Sequence, residues 1–221
     1  MKSTSIHPAS ATGECLLDVR DLTIWRGENL LIEELSFSIK SGTVVQIQGT
    51  NGTGKTTVLR ALIGLAAYDE GQIYWRGKPA RKVREDMHSA LLYLGHKSGI
   101  SAGLTPMENL LALCPELAAN AREEILDVLE ELAIDDRIDL PSAALSAGQQ
   151  RRVSLARMRL QQADLWVLDE PLTSLDVNGY QWVRREIQAH AGAGGAVVFT
   201  THQPLSFDSV PLETVLLGAE Q

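Results

Sequence analysis

The chain has 221 residues, of which 44% are hydrophobic and 22% charged, a composition typical of a globular protein and unlike disordered, fibrous or membrane-embedded chains. Its net charge of −8 and pI near 5.1 disfavour a nucleic-acid partner or a broad contact with anionic lipid, because both are polyanions. The sequence has no apolar run of the roughly 18 to 20 residues that a membrane span needs, and no secretory signal pattern, so we expect no direct membrane insertion.

The predicted elements begin after an N-terminal tail. Residues 1–14 are rich in Ser, Thr, Ala and Gly without periodicity, so we expect a mobile tail, followed by a single domain over residues 15–221. Apolar patterning predicts strands at 16–25, 35–40 and 44–48, and the last of these runs directly into a glycine-rich loop. A helix is expected to follow that loop from about residue 55 to residue 65, ending near Gly64.

The rest of the chain changes from helices back to alternating strands and helices. Short strands are predicted at 72–76 and 91–94, and apolar residues at helical spacing then predict a helical subdomain over about 97–162. Further strands are predicted at 165–168, 196–200 and near 214–217, with a helix at 178–190. Strands that alternate with helices predict an α/β fold with a mainly parallel sheet, whose ligands lie at the carboxyl ends of the strands.

The glycine-rich loop fits the pattern G-x-x-x-x-G-K-[ST]. Its residues are Gly49, Thr50, Asn51, Gly52, Thr53, Gly54, Lys55 and Thr56, and Thr57 follows in the same turn. Glycines let the backbone turn its N–H groups toward phosphate oxygens, Lys55 neutralises the β- and γ-phosphates, and Thr56 ligates Mg²⁺. A chance match is expected in only about one chain of this length in a hundred. The loop predicts binding of ATP, or another nucleoside triphosphate, with Mg²⁺.

A second motif, which is acidic, helps to decide whether the chain is a kinase, a GTPase, a helicase or a transport ATPase. The apolar strand at 165–168 ends in Asp169 and Glu170. Asp169 can hold Mg²⁺ through water, and Glu170 can polarise the attacking water. Alone, such a strand end is more often structural, but beside the loop it favours hydrolysis. The sequence has no guanine-specific N-K-x-D motif.

The third motif, Leu-Ser-Ala-Gly-Gln-Gln-Arg-Arg at 145–152, resembles the signature of ATP-binding-cassette (ABC) ATPases. Ser146 and Gln149 can form a capping box at a helix start. The resemblance implies an ABC cassette with an N-terminal antiparallel β part and a helical signature subdomain. It further implies two facing copies, in which Ser146 and Gly148 of one copy complete the ATP site of the other, and it makes His202 a contact of the γ-phosphate.

Two positions depart from the usual ABC pattern. Where most members have an aromatic residue that stacks on adenine, this chain has Trp25 and Arg26, and either could stack because indoles and guanidinium groups both pack on π faces. Where the family has a glutamine that contacts Mg²⁺, this chain has His96. An imidazole can still form a hydrogen bond, so His96 is a candidate metal contact.

The stretches at 93–100 and 104–110 resemble one ABC subfamily, the ATP-binding subunits of bacterial haem export in cytochrome c maturation. This resemblance implies ATP hydrolysis, membrane-spanning partner subunits and a peripheral position on the cytoplasmic face of the bacterial inner membrane. Two alternatives stay open, namely a cassette for another cargo and a soluble ABC ATPase outside transport. A scaffold that does not hydrolyse ATP would be expected to lack Glu170 or His202, and both are present.

Overall fold

The computed structural model describes residues 13–117 and 121–218. Most of the predicted mobile tail, residues 1–12, lies outside the described residues. The last tail residue, Glu14, is anchored, because its carbonyl oxygen accepts a hydrogen bond from the Ser41 N–H at 2.8 Å.

The described chain contains nine strands, seven α-helices and three short 3₁₀ turns. The strands are β1 Cys15–Arg26, β2 Asn29–Lys40, β3 Val44–Gln48, β4 Glu70–Trp75, β5 Lys78–Pro79, β6 Leu91–Leu94, β7 Leu165–Asp169, β8 Ala196–Thr200 and β9 Leu212–Leu216. The helices are α1 Lys55–Leu62, α2 Arg84–Ser89, α3 Pro106–Leu113, α4 Ala121–Glu131, α5 Ala147–Leu155, α6 Arg157–Leu160 and α7 Val177–Gly192. The 3₁₀ turns are Ala80–Lys82, Asp135–Arg137 and Ser142–Ala144. Among the described helices, none is long and apolar enough to span a bilayer.

A five-stranded parallel sheet in the order β6-β7-β8-β3-β9 forms the centre of the fold. Strands β7 and β8 are buried along their whole length, which explains their nearly continuous apolar sequences, because helices or a second layer cover both faces of such a sheet. The prediction of a mainly parallel core is confirmed. The carboxyl ends of β3, β8 and β7 therefore lie side by side, and the loops that follow them meet at one edge.

Alternate residues of the parallel strands pack on opposite faces of the sheet. Trp166 and Leu168 contribute to a core shared with the helical region and α7, whereas Leu165 and Val167 face α1 and the antiparallel strands. Helices α3 to α6 lie between residues 97 and 162, the range predicted for the helical subdomain. They pack on the first of these faces only, so the second face is free to carry the N-terminal sheet.

The N-terminal sheet is antiparallel, in the order β2-β1-β4-β5. Strand β2 begins at Asn29, earlier than the predicted start at residue 35. The pairing of β1 with β2 shifts register near two residues with positive φ, Asp21 at 50° and Glu34 at 45°. Such bulges interrupt the inward and outward alternation of side chains. A search for alternation therefore recognises only the regular half of β2.

The predicted helix ends differ from the observed ones where a glycine or a cap decides the boundary. Helix α1 ends at Leu62, before the predicted residue 65, because Gly64 adopts φ 72° and its N–H donates to Ala61 O at 3.0 Å. Helix α3 begins at Pro106, after the N-cap Thr105, which forms a capping box with Glu108. The short helix α2 was not predicted from the sequence.

Candidate active site

The glycine-rich loop connects β3 to α1 and leaves the start of that helix open. Gly54 is the N-cap residue, at φ 93°, and no side chain caps the helix. A Cβ on Gly54 would lie 2.8 Å from Leu31 Cγ, so this position requires glycine for both its conformation and its packing. The first turn contains no acidic residue. Its free N–H groups therefore form a site for an anion.

Lys55 lies folded against the loop that it follows. The residue is only 9% exposed, and Nζ donates hydrogen bonds to Gly49 O at 2.8 Å and Thr50 O at 3.1 Å. Both acceptors are neutral carbonyl groups, which bind an ammonium group less strongly than phosphate oxygens do. Lys55 is therefore already positioned over the loop and can exchange these carbonyls for phosphate.

Asp169, at the end of β7, is joined to the loop helix and to β8 through hydroxyl groups. Thr56 Oγ1 lies 3.1 Å from Asp169 Oδ1 and 2.9 Å from Oδ2, and Thr200 Oγ1 donates to Oδ1 at 2.9 Å. Across residues 13–117 and 121–218, no group of three or more acidic, histidine or cysteine side chains could hold a metal ion. One carboxylate and one hydroxyl fit Mg²⁺, which binds few protein oxygens and shares its remaining positions with phosphate and water.

Glu170 follows in a strained backbone conformation. Its φ is 51°, a left-handed value that is unfavourable for a residue with a side chain. Its N–H is held by Thr200 Oγ1 at 3.0 Å and by Thr200 O at 3.2 Å. Its Oε1 lies 3.3 Å from His202 Nε2, but among the described residues it accepts no hydrogen bond. The structure thus holds a buried carboxylate oxygen beside an imidazole, with no hydrogen-bond donor on it among the described residues.

These residues line one cleft. The cleft is lined by Arg26, Leu31, Asn51, Gly52, Gly54, Lys55, Thr56, Thr57, Asp169, Glu170 and His202. The predicted residues Gly49, Thr50 and Thr53 belong to the loop but do not line the cleft. Gly49 and Thr50 instead supply the carbonyls that hold Lys55, and Thr53 Oγ1 donates to Thr50 O at 2.9 Å. The structure therefore brings together the loop and both carboxylates.

Trp25 and Arg26, the two candidates for stacking on the nucleotide base, differ in whether they line the cleft. Arg26 lines the cleft and Trp25 does not, as expected for neighbouring residues of a strand. Trp25 is 46% exposed, and its backbone N–H donates to Asp69 Oδ2 at 2.7 Å. Leu31, which sequence reasoning missed, adds an apolar side chain to the lining of the cleft. Of the two candidates, Arg26 alone lines the cleft, and stacking on the base stays a prediction.

His96 is exposed, two residues beyond β6, and is not among the residues that line the cleft. Its predicted contact with Mg²⁺ stays a prediction. The preceding residue, Gly95, is fixed in place, because its carbonyl oxygen accepts a hydrogen bond from Arg151 Nη1 at 2.7 Å. Burial lowers the pKa of the Arg151 guanidinium, and the charges of Asp169 and Glu170 act in the opposite direction.

The signature segment lies outside the cleft. Ser146 caps α5, since its hydroxyl accepts from Gln149 N–H at 3.2 Å while Gln149 Oε1 accepts from Ser146 N–H at 2.9 Å. The predicted capping box is confirmed. A Cβ on Gly148 would lie 3.0 Å from Ser174 O. Ser146 is exposed, and neither it nor Gly148 lines the cleft. The capped start of α5 thus lies outside the cleft of its own chain.

Thr200 is a further residue that the sequence did not reveal. It pairs with Asp169 across neighbouring strands, and its hydroxyl binds both the Asp169 carboxylate and the Glu170 N–H. Replacing Thr200 with Val should lower ATP turnover by about 10- to 100-fold, because small misplacements of catalytic groups cost that much. Steady-state phosphate release measures the effect.

A matched control is Thr43→Val. Thr43 lies just before β3 and is 1% exposed, and its hydroxyl donates to Lys40 O at 2.7 Å. The Thr43→Val variant therefore loses a comparable buried hydrogen bond away from the cleft. If both variants turned over ATP equally, Thr200 would have no role beyond stability.

A parallel sheet, a phosphate-binding loop before a helix, and two carboxylates at the adjacent strand end define a P-loop ATPase. Residues 32–173 match the family model described as ABC transporter. The chain therefore belongs to the ABC transporter family, as the three motifs predicted, and it is an ABC-type ATPase.

Curated relatives and a solved structure extend this match beyond the motifs. The chain is 48% identical over 190 residues to the cytochrome c biogenesis ATP-binding export protein CcmA of Salmonella typhi, covering 86% of this chain and 91% of that protein. It is 44% identical over 204 residues to the protein of the same name from Aliivibrio fischeri, covering 92% and 100%. The fold matches a solved ATP-binding subunit of an ABC transporter with a TM-score of 0.76 at 24% identity, covering 85% and 79%. The resemblance to the cytochrome c maturation subfamily is confirmed.

Proposed function

We propose that this ABC ATPase powers a membrane complex that exports or delivers haem for cytochrome c biogenesis. The observation that carries the enzymatic part is the cleft in which Lys55, Asp169 and Glu170 meet. The cargo rests on the relatives, which are named as cytochrome c biogenesis export proteins and match 86 to 92% of the chain. A cassette for another cargo is the second candidate, because a P-loop cleft recognises nucleotide and not cargo.

The residues of the cleft support a sequence of steps for hydrolysis. The triphosphate is held by the N–H groups of the loop and by Lys55, which exchanges its two carbonyl partners for phosphate oxygens. Thr56 and Asp169 would hold Mg²⁺, which when bound neutralises charge on the β- and γ-phosphates. The same residues keep the triphosphate aligned for attack from the side of Glu170.

The attacking water is oriented by Glu170. Its carboxylate accepts a proton as the water oxygen bonds to the γ-phosphorus and the bond to the ADP oxygen breaks. His202, whose Nε2 lies 3.3 Å from Glu170 Oε1, would donate a hydrogen bond to the γ-phosphate. The products are ADP and phosphate.

A second copy of the chain is part of the proposed active form. Ser146 and Gly148 stand at the N-terminal end of α5, outside the cleft of their own chain. Helix starts attract anions, so in a facing dimer this one would complete the triphosphate site of the partner. Opening after hydrolysis would then move the membrane subunits.

Membrane-spanning subunits of the same complex are the other proposed partners, and nucleic acid is not one. The chain would act as a peripheral subunit on the cytoplasmic face of the bacterial inner membrane, where ATP is available.

The cargo is tested by replacing the chromosomal gene with Lys55→Ala and staining membrane proteins for covalent c-type haem. We expect the stain to disappear, and to persist in a strain with the exposed surface variant Lys82→Ala. Undiminished staining in the Lys55→Ala strain would contradict the cytochrome c function and leave the ATPase intact, favouring another cargo.

A further inference from the structure

Strand β6 forms one edge of the parallel sheet, and its outward carbonyl groups are bonded by side chains. Three side chains from α5, α6 and the turn that follows donate to alternate carbonyls along this edge: Arg151 to Gly95, Arg157 to Tyr93 and Gln161 to Leu91. These side chains take the place of a further strand, because an edge strand otherwise leaves its carbonyls unpaired. The helix that carries the signature is thereby attached to the strand that leads to His96.

Arg151 differs from the other two because it also reaches the catalytic strand end. Nη1 binds Gly95 O at 2.7 Å, while Nη2 binds Asp169 O at 3.1 Å and Glu170 O at 2.9 Å. The residue is 5% exposed. A planar guanidinium can hold acceptors at two places in a fixed geometry, which an ammonium group cannot do. Arg151 thus joins the signature helix, the loop before His96 and the backbone of both carboxylates.

The contact bears directly on the conformation of Glu170. Its N–H is bonded to Thr200 on β8, and its C=O is bonded to Arg151 on α5. The peptide groups on both sides of the residue are therefore fixed, while its φ of 51° is one that a free chain would relax. With both peptides held, the direction of the Glu170 Cα–Cβ bond is fixed, which limits the positions that its carboxylate can reach.

We propose that Arg151 is a positioning residue for hydrolysis, which holds Glu170 in its strained conformation and couples that conformation to the seating of the signature helix. The inference rests on the proposed hydrolysis in this cleft. A shift of α5 against the sheet, such as docking of a second copy on Ser146 would produce, moves the guanidinium and with it the Glu170 carbonyl. Arg151 does not line the cleft, so its loss should slow the chemical step and leave ATP binding unchanged.

Arg157 supplies the matched control. It is a half-buried arginine from the same helical region, and it caps the same strand edge at Tyr93 O, 3.4 Å away. Arg157 also donates to Gln161 Oε1 at 2.9 Å, which lies away from Asp169 and Glu170. Arg157→Gln therefore removes an edge cap without touching the catalytic strand end.

The experiment compares Arg151→Gln, Arg151→Lys and Arg157→Gln in the full chain, purified with the membrane proteins that accompany it. Three measurements are made: the melting temperature, the affinity for a fluorescent ATP analogue, and kcat with KM for ATP. We expect Arg151→Gln to lower kcat by about 10- to 100-fold with affinity and KM within about twofold of wild type. Arg151→Lys should recover part of kcat, since it keeps the charge and reaches one of the two sites. Arg157→Gln should lose stability but keep kcat within about threefold.

The inference would be overturned if Arg151→Gln had the kcat of the wild type. It would also be overturned if Arg157→Gln lost as much kcat as Arg151→Gln while the two variants had the same melting temperature. A loss confined to affinity would also overturn it. If Arg151→Gln does not fold, Arg151→Lys decides, because wild-type kcat in that variant contradicts a role for the two-site fork. If the wild-type protein did not hydrolyse ATP, the proposed function itself would be overturned. If the wild-type protein and the Arg151 variants hydrolysed ATP at the same rate, only this inference would be overturned.

Discussion

Glu170→Gln is expected to lower ATP turnover by about 10²- to 10⁴-fold while ATP still binds. The amide fills the same space and keeps the backbone bonds to Thr200 and Arg151, but it cannot accept the proton of the attacking water. Because the triphosphate then persists, the two copies should stay closed around it. Phosphate release measures the first effect, and a shift to dimer mass in size-exclusion chromatography with Mg-ATP measures the second.

The control for this variant is Glu130→Gln, an exposed glutamate of α4 that removes the same charge far from the cleft. It should match the wild type in rate and in mass. Wild-type turnover by Glu170→Gln would remove Glu170 as the base and leave His202 as the next residue to test.

Lys55→Ala is expected to lose ATP at the binding step. Hydrogen bonds to charged groups contribute about 1.5 to 3 kcal/mol, so the affinity for ATP should fall by about 10- to 150-fold. The loop should keep its shape, because Gly52 and Gly54 set its turns through their positive φ values, and the Lys55 bonds to Gly49 and Thr50 only reinforce it. Titration with a fluorescent ATP analogue measures the affinity.

Lys82→Ala removes an exposed lysine from the N-terminal sheet region and should bind ATP as the wild type does. Glu170→Gln provides a second comparison, because it should bind ATP without hydrolysing it. Wild-type affinity in Lys55→Ala would show that the N–H groups of the loop and α1 suffice for the phosphates.

The parts of the site that follow one another along the chain could be predicted from the sequence. The loop from Gly49 to Thr56 and the pair Asp169 and Glu170 each need only a strand end and the residues after it. Parallel strands place such ends at one edge, so their meeting could also be expected. The capping box at Ser146 is equally local, and the structure shows it as predicted.

The parts that depend on contacts between distant segments could not be predicted. Thr200 gains its role from its register opposite Asp169, and Leu31 from the approach of β2 to Gly54. Arg151 lies inside a signature whose other residues suggest only a helix start, and its carbonyl partners are set by the packing of α5 on β6. Because every residue has a backbone carbonyl, the residue types do not show which carbonyls accept a hydrogen bond from a distant side chain. The first half of β2 was not predicted because the bulges near Asp21 and Glu34 interrupt the alternation of its side chains.

The open start of α1 has a consequence for the lifetime of the protein in the cell. Helices α3, α5 and α7 each begin with a side-chain cap, from Thr105, Ser146 and Asp176, whereas α1 begins at Gly54 without one. A nucleotide phosphate would supply the missing acceptor, so the substrate would also serve as the N-cap of a core helix. Ligands that bind only the folded chain stabilise it in proportion to the logarithm of their concentration. The cellular ATP level would then govern how long this subunit survives as well as how fast it works.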